Sequence, residues 1–172
     1  MTRRPARWSV AGAGMISVAC LGAAWMRPHV PLLLWNLSAS APEGLYHVVS
    51  AQPLRVGDTV IARVPGRYRA LASARRYIAA GVPLVKRIAA GPGDQICALG
   101  DTLFLNGVRL VERRRTDGAG RSMPAWQGCV RLGADDYFFL LMASKPLSFD
   151  GRYFGITVRR DIVGKARLLW AR

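Results

Sequence analysis

The sequence predicts a mostly β domain that follows one N-terminal transmembrane helix. Two observations predict the β domain. Short segments rich in Val, Ile, Leu and Tyr recur along residues 44–172, and turn signals made of Gly, Pro and Asn separate them at intervals of about eight to twelve residues. A third observation predicts the helix, because residues 8–26 carry no charged side chain. We therefore expect a barrel-like or sandwich-like antiparallel sheet outside a membrane span.

The N-terminal segment is basic over residues 1–7 and apolar over residues 8–26. At about 1.5 Å per residue, the apolar stretch would extend about 28 Å, close to the bilayer core of about 30 Å. Three Arg precede it and one follows, which favours a cytoplasmic N-terminus. The alternative is a cleaved signal peptide, but its apolar region spans only about 7–15 residues. We expect an uncleaved single-pass anchor in a bacterial inner membrane.

The remaining chain then divides into a membrane-proximal lead-in, residues 27–35, and a periplasmic domain, residues 36–172. Two strands are predicted at residues 44–50 and 58–64. Residues 67–80 are the one predicted soluble helix, because Leu71, Ala74 and Ile78 share a face.

The second half of the domain reads as strands joined by tight turns. Asn106-Gly107 is the sequence of a type I′ hairpin turn, and Gly91-Pro92-Gly93 ends an earlier predicted strand, residues 83–90. We expect an exposed loop over residues 112–127. The predicted strands are residues 83–90, 96–99, 102–105, 108–111, 137–143 and 162–170.

The net charge of +15 comes from 25 basic and 10 acidic residues. Such a charge suits nucleic acid or an anionic membrane surface. The basic residues are scattered, with one short run at Arg113-Arg114-Arg115, and no aromatic-interleaved basic patch occurs. We therefore expect membrane lipid, and no nucleic acid, as a partner.

Three cysteines are present. Cys20 lies in the predicted anchor, so Cys97 and Cys129 are the two that could pair in the outer domain. A disulfide and two buried free thiols are both compatible with the sequence. With only two His and no ligand-like spacing, we expect no metal and no cofactor.

Lys86 is the candidate general base. Arg does not lose its proton in proteins, so 22 of the 25 basic residues are excluded. Period-two alternation places Lys86 on one strand face with Val82, Leu84 and Ile88, where poor solvation lowers the pKa of an ammonium. A snorkelling or ion-paired lysine is the alternative.

Ser40 is the candidate nucleophile. It lies in a turn of small residues that ends in Pro42, Glu43 and Gly44, and such a turn could present a hydroxyl at the surface. A His-based triad is disfavoured, because His29 adjoins the predicted membrane span, His47 lies in a predicted strand and no G-x-S-x-G motif is present.

Four pieces of sequence, in order, resemble the signal peptidase I family, and most closely its conjugative-transfer branch, the TraF-type maturation peptidases. The first is the pattern Asn36-x-Ser38-x-Ser40-x-Pro42-x-Gly44-Leu45-Tyr46. The others are residues 57–60, residues 84–94 around Lys86 with the Asn106-Gly107 hairpin, and residues 148–155. The resemblance runs from about residue 36 to the C-terminus.

This resemblance implies a signal-peptidase-like coiled sheet with one short helix, and a Ser/Lys dyad of Ser40 and Lys86. It further implies that the Ser38 hydroxyl supports the oxyanion and that Ser148 orients Lys86. Asp150 would occupy an acidic position important in the TraF branch, with Arg152 paired near it. Whether Asp150 is catalytic or only structural stays open.

The implied substrate is a translocated precursor, either a conjugative pilin, whose product could be linear or cyclised, or a protein bearing a signal peptide. A single span, no Met after Ser40 and a short outer domain disfavour a general secretory role. The alternatives of another class are a non-catalytic membrane-tethered assembly factor and a LexA-like self-cleaving protein, which would need a DNA-binding module.

Overall fold

The structure is a computed structural model, and it describes residues 33–38, 41–51, 53–133 and 137–172. All of these belong to the second of the chain's two compact units, Pro31–Arg172. The predicted cytoplasmic segment, the predicted anchor at residues 8–26, most of the lead-in and Ser40 lie outside the described residues. Within those ranges, no helix has both the length and the apolar character needed to cross a bilayer.

The larger sheet has seven described strands, and all neighbouring pairs run antiparallel. The sheet begins with a strand that the sequence patterns did not predict, Leu33–Asn36, which pairs with the next strand through Asn36 and Gly44. In spatial order the strands are β1 (Leu33–Asn36), β2 (Gly44–Val49), β11 (Ile162–Ala171), β3 (Thr59–Ala62), β4 (Leu84–Ala90), β9 (Tyr137–Leu141) and β10 (Thr157–Val158).

The smaller sheet has four described strands. Asn106 and Gly107 have φ values of 51° and 82°, which confirms the predicted I′-like hairpin turn. Cys97 and Cys129 face each other across two neighbouring strands and form a disulfide. In spatial order the strands are β7 (Val108–Glu112), β6 (Thr102–Leu105), β5 (Gln95–Leu99) and β8 (Gly128–Arg131).

The described strands form two open sheets, not a closed barrel. In the larger sheet, β1 and β10 stand at opposite ends of the strand order and do not pair with each other. The expectation of a mostly β, antiparallel domain is therefore confirmed, while its barrel-like form is not.

The helix α1 spans Gly66–Ala74 and ends six residues before the predicted limit. Arg76 has φ 59°, and the Tyr77 N–H donates to the Ala72 carbonyl at 2.9 Å while the Arg76 N–H donates to Ser73 at 3.0 Å. These two hydrogen bonds form a Schellman motif, which ends a helix. The residue in the left-handed conformation is usually glycine in this motif, but here it is Arg76.

A second short helix, α2 (Gly151–Phe154), was not predicted. Asp150 caps it by accepting a hydrogen bond from the Arg152 N–H at 3.2 Å. Four residues are too few to show a helical period, so the sequence pattern did not reveal it. The strand β8 was not predicted either. It has four residues, all of them exposed, so it lacks the alternation of apolar and polar residues that reveals a strand.

The core of the larger sheet is buried on both faces. Val60 and Ile61 are adjacent in β3, point to opposite faces and are both fully buried. Val60 packs with Ile88, whereas Ile61 packs with Val85 on the other face. Strand β4 is therefore buried along most of its length, although Arg87 is exposed, so burial of a polar side chain on it depends on its position.

Candidate functional site

Lys86 lies in the middle of β4 and directly opposite Val60 of β3. Its side chain is 1% exposed, which confirms the burial predicted from the alternating pattern. Burial lowers the pKa of the Lys86 ammonium from its ordinary 10.5 to about 8, with Asp150 acting to raise the pKa and Arg152 acting to lower it. With a pKa of about 8, about one tenth of the amine is neutral at pH 7, and a general base acts from that neutral form.

Ser148 accepts a hydrogen bond from Nζ of Lys86 at 2.8 Å, and both groups are buried. Ser148 is in the loop between β9 and α2, where its N–H donates to the Lys145 carbonyl at 3.0 Å. A hydroxyl held by its own backbone turn fixes the direction of the lysine amine. The structure therefore brings together two of the residues implied by the family resemblance.

Asp150 and Arg152 form a fully buried bidentate ion pair. Nε of Arg152 donates to Oδ1 at 2.9 Å and an η nitrogen donates to Oδ2 at 2.8 Å. The same guanidinium donates to the carbonyls of Lys145 and Ser148 at 2.7 and 3.2 Å, and the Met142 N–H donates to Asp150. Because both buried charges are paired and hydrogen-bonded, the pair fixes the shape of the loop that carries Ser148.

Asn36 organises the loop between β1 and β2. Its side-chain nitrogen donates to the carbonyls of Ser38, Ala41 and Pro42 at 3.0, 3.3 and 3.0 Å, and its oxygen accepts from the Ser38 N–H at 3.1 Å. Ser40, the predicted nucleophile, belongs to the same loop but lies outside the described residues.

A groove of about 790 Å³ lies between strand β4, the loop that follows β1 and the loop that carries Ser148. Ser38, Lys86 and Ser148 all line it, so three predicted site residues border one space. Asp150 and Arg152 are not among its lining residues and act from behind the loop. Apolar side chains form much of the remaining wall, including Leu34, Val82, Leu84, Leu147, Phe149 and Tyr153.

One wall of the groove comes from residues 112–127, which we predicted to be an exposed loop. Asp117 and Met123 both line the groove, and both accept from the Tyr77 hydroxyl, at 2.6 and 3.2 Å. That hydrogen bond, with those from Arg121, lowers the pKa of the Asp117 carboxyl. Tyr77 and Asp117 are 40 residues apart, so no local sequence signal could have predicted their contact.

A second pocket, of about 660 Å³, lies beside α1 and shares Ile78 and Val82 with the groove. None of the predicted site residues lines it. Among the described residues, no group of three or more His, Cys, Asp and Glu is placed to hold a metal ion.

Comparison with known proteins gives the family. Residues 6–171 match the family described as signal peptidase, peptidase S26. The plasmid transfer protein TraF of Escherichia coli is 32% identical over 74% of this chain and 76% of its own. The conjugal transfer protein TraF of Agrobacterium fabrum is 30% identical over 77% of this chain and 78% of its own.

A crystal structure of signal peptidase I from Enterococcus faecalis aligns with 67% of this chain and 98% of its own, at 22% identity and a TM-score of 0.38. At that level it adds nothing to the assignment, which rests on the family match and the two TraF relatives. The chain belongs to the signal peptidase family, peptidase S26, as a TraF-type member, and is a serine peptidase that acts on a precursor protein.

Proposed function

We propose that this protein is a membrane-anchored endopeptidase in which Ser40 is the nucleophile and Lys86 the general base. The observation that carries the proposal is the buried Lys86 amine, whose pKa of about 8 leaves it partly neutral beside a groove. A lysine that only carried charge would gain nothing from such a site, because burial disfavours the ammonium form.

In the proposed reaction, neutral Lys86 takes the proton from the Ser40 hydroxyl as its oxygen attacks the substrate carbonyl carbon. The tetrahedral intermediate then collapses and its C–N bond breaks. Lys86 returns the proton to the leaving amine, and the acyl group stays on Ser40 as an ester. A water molecule, deprotonated by Lys86, then attacks the ester carbonyl carbon. The bond to the Ser40 oxygen breaks, Lys86 returns the proton to that oxygen, and a linear product leaves. A substrate amine attacking instead would join two peptide ends.

The oxyanion needs donors aimed at it in advance, each commonly worth about 10²–10³ in rate. We assign the Ser38 hydroxyl and the Ser40 backbone N–H to this role. In support, Ser38 lines the same groove as Lys86. Asp150 and Arg152 we assign to positioning, because they hold the Ser148 loop and do not border the groove.

An extended substrate segment would enter this groove alongside β1, the edge strand of the larger sheet. Among the described strands β1 pairs with β2 alone, so its other edge could accept main-chain hydrogen bonds. The apolar lining favours small or apolar substrate side chains over charged ones.

We place the enzyme in the inner membrane, with its N-terminus in the cytoplasm and its catalytic domain in the periplasm. The Cys97–Cys129 disulfide supports an oxidising compartment. Trp35 and Trp170 are both exposed, and their ring centroids are 5.4 Å apart on the β1–β2–β11 side of the sheet. Exposed tryptophans of this kind suit a membrane interface.

The relatives are named for plasmid transfer and conjugal transfer, so the proposed precursor is a pilin-like protein of a conjugation system. A general signal-peptide-cleaving role is the second candidate, favoured by the description of the family. Mass spectrometry of both precursor types after incubation with the enzyme separates the two, and also shows whether the product is linear or cyclic.

The dyad is tested with the full chain in liposomes of phosphatidylethanolamine and phosphatidylglycerol. The probe is a quenched-fluorescent peptide that the wild type cleaves, chosen from a library with Ala, Gly and Ser around the scissile bond. Ser40→Ala and Lys86→Ala should each abolish cleavage. Lys86→Arg should be equally inactive, because Arg keeps the charge but cannot accept the proton.

The matched control is Lys165→Ala, since Lys165 pairs with Asp58 at 2.7 Å and does not line the groove. This variant should keep wild-type activity. Cleavage at near wild-type rate by Ser40→Ala, or by Lys86→Arg, would show that the assigned dyad is wrong.

A further inference from the structure

Asn36 has an unusual number of bonds to one short loop. β1 ends at Asn36, which pairs with Gly44 at the start of β2, so residues 37–43 form the connection between two paired strands. The Asn36 side chain is buried and makes four hydrogen bonds to backbone groups of this connection. One side chain therefore stabilises the backbone conformation of the loop.

The bonds fall on both sides of residues 39 and 40. Ser38 is held through its N–H and its carbonyl, and Ala41 through its carbonyl. Ser38 and Ala41 are also joined directly, since the Ala41 N–H donates to the Ser38 carbonyl at 3.2 Å. Farther along, Pro42 accepts from both Asn36 and the buried Tyr46 hydroxyl, at 3.0 and 2.8 Å.

This arrangement needs an amide side chain. The oxygen accepts from the Ser38 N–H while the nitrogen donates to carbonyls, so a group with both functions must stand at this position. Aspartate would keep the acceptor but would turn a negative oxygen toward three carbonyls. Alanine would remove the side-chain donor from all three carbonyls and would leave the buried Ala41 carbonyl without its bond from Asn36, which is unfavourable in a buried site.

We propose that Asn36 is a positioning residue that sets the placement of the Ser40 hydroxyl relative to the Lys86 amine. This inference rests on the proposed Ser40–Lys86 dyad. In support, Asn36 holds the backbone of Ser38 and Ala41, the described residues that flank residues 39 and 40 in the chain. A misplacement of about 1 Å at a reacting group can reduce the rate by about 10².

The test uses the full chain in the same liposomes and the same quenched-fluorescent peptide. Asn36→Ala and Asn36→Asp should each lower kcat by about 10- to 100-fold and change KM by less than about threefold. In Asn36→Ala the acid limb of the pH–rate profile should stay close to that of the wild type, because Asn36 is uncharged and the charged groups that act on the pKa of Lys86 are Asp150 and Arg152.

Asn106→Ala is the matched control. The Asn106 amide also organises a turn, accepting from the Gln95 N–H at 2.8 Å and donating to Asp94 at 2.9 Å, but it does so in the smaller sheet. This variant should lower the melting temperature and leave kcat within twofold of wild type. If Asn36 had only a structural role, Asn36→Ala and Asn106→Ala would each lose activity only in proportion to the fraction of the protein that is unfolded.

Wild-type kcat in either Asn36 variant would overturn the inference. So would an equal loss of activity in Asn36→Ala and Asn106→Ala once each is corrected for folding. Ser40→Ala, measured in the same assay, distinguishes failure of the proposed dyad from failure of the Asn36 inference. If it cleaves the peptide, the proposed function is wrong. If it is inactive while Asn36→Ala turns over normally, the dyad stands and only the positioning role fails.

Discussion

Nζ of Lys86 donates a hydrogen bond to Oγ of Ser148 at 2.8 Å, although the two residues are 62 positions apart in the chain. The lysine comes from the mostly buried strand β4 and the serine from a loop held in place by a buried ion pair. Burial in β4 leaves the lysine poorly solvated, and the bond to Ser148 points its amine in one direction. A proton acceptor in the proposed reaction needs both properties.

The pH dependence of cleavage should follow Lys86. Because the proposed base must be neutral, kcat/KM should rise with pH as Lys86 loses its proton and should level off above a pH of about 8. A pH–rate profile from pH 6 to pH 10 checks this. A profile that is flat from pH 6 upward would contradict a lysine base with this pKa.

Lys86→Met should abolish activity and stabilise the fold. In the folded state the pKa of Lys86 is lowered from 10.5 to about 8, so the unfolded chain binds more protons between these pH values. The free energy of unfolding of the wild type should thus increase by about 3 kcal/mol as the pH rises from 8 to 10.5. Below pH 8 Lys86 is charged in both states, so the full cost of burying its ammonium lowers the free energy of unfolding.

Urea unfolding at several pH values measures this effect. In Lys86→Met the rise should be absent, and at pH 7 the variant should be more stable by about 1–3 kcal/mol after the lost bond to Ser148. Parallel pH curves for wild type and variant would show that Lys86 is not destabilised by burial.

Ser148→Ala should lower kcat by about tenfold with little change in KM, because the Lys86 amine loses the hydroxyl that directs it. Ser148→Thr keeps a hydroxyl at the same atom and should recover most of the rate. Steady-state kinetics of both variants check this. If threonine were no better than alanine, the hydroxyl would not be the group that matters.

Asp150→Asn should destabilise the domain by about 3–5 kcal/mol, since it leaves the buried Arg152 guanidinium without its carboxylate. Asp150 acts to raise the pKa of Lys86, so in the folded variant the acid limb of the pH–rate profile should move to lower pH. Thermal unfolding and the pH–rate profile together test it. Unchanged values for both would mean that the pair has no role in the site.

Removing the disulfide with Cys97→Ala and Cys129→Ala should lower the free energy of unfolding by about 2–4 kcal/mol, because the bond closes a loop with a sequence separation of 32 residues. Cleavage at low temperature should persist, since the bond joins strands of the smaller sheet and neither cysteine lines the groove. Denaturant unfolding with a parallel peptide assay measures both quantities.

Local patterns predicted the parts of the fold that local physics determines. The Asn106-Gly107 turn, the strand around Lys86 and the burial of that lysine were all readable from alternation and turn chemistry. The helix length was wrong because Arg76 takes a left-handed conformation that is usual for glycine. Pairing of Cys97 with Cys129 stayed open because it depends on strand order.

The sequence by itself determined the family and the identity of the residues with suitable chemistry, because motif spacing and the chemistry of Ser and Lys do not depend on coordinates. Only the tertiary structure decided which groups meet: the lysine of β4 with Ser148, Asp150 with Arg152, and Tyr77 with the loop at Asp117. These contacts join segments that strand order and loop packing bring together, and the geometry of a long-range contact is not encoded in the residues next to it.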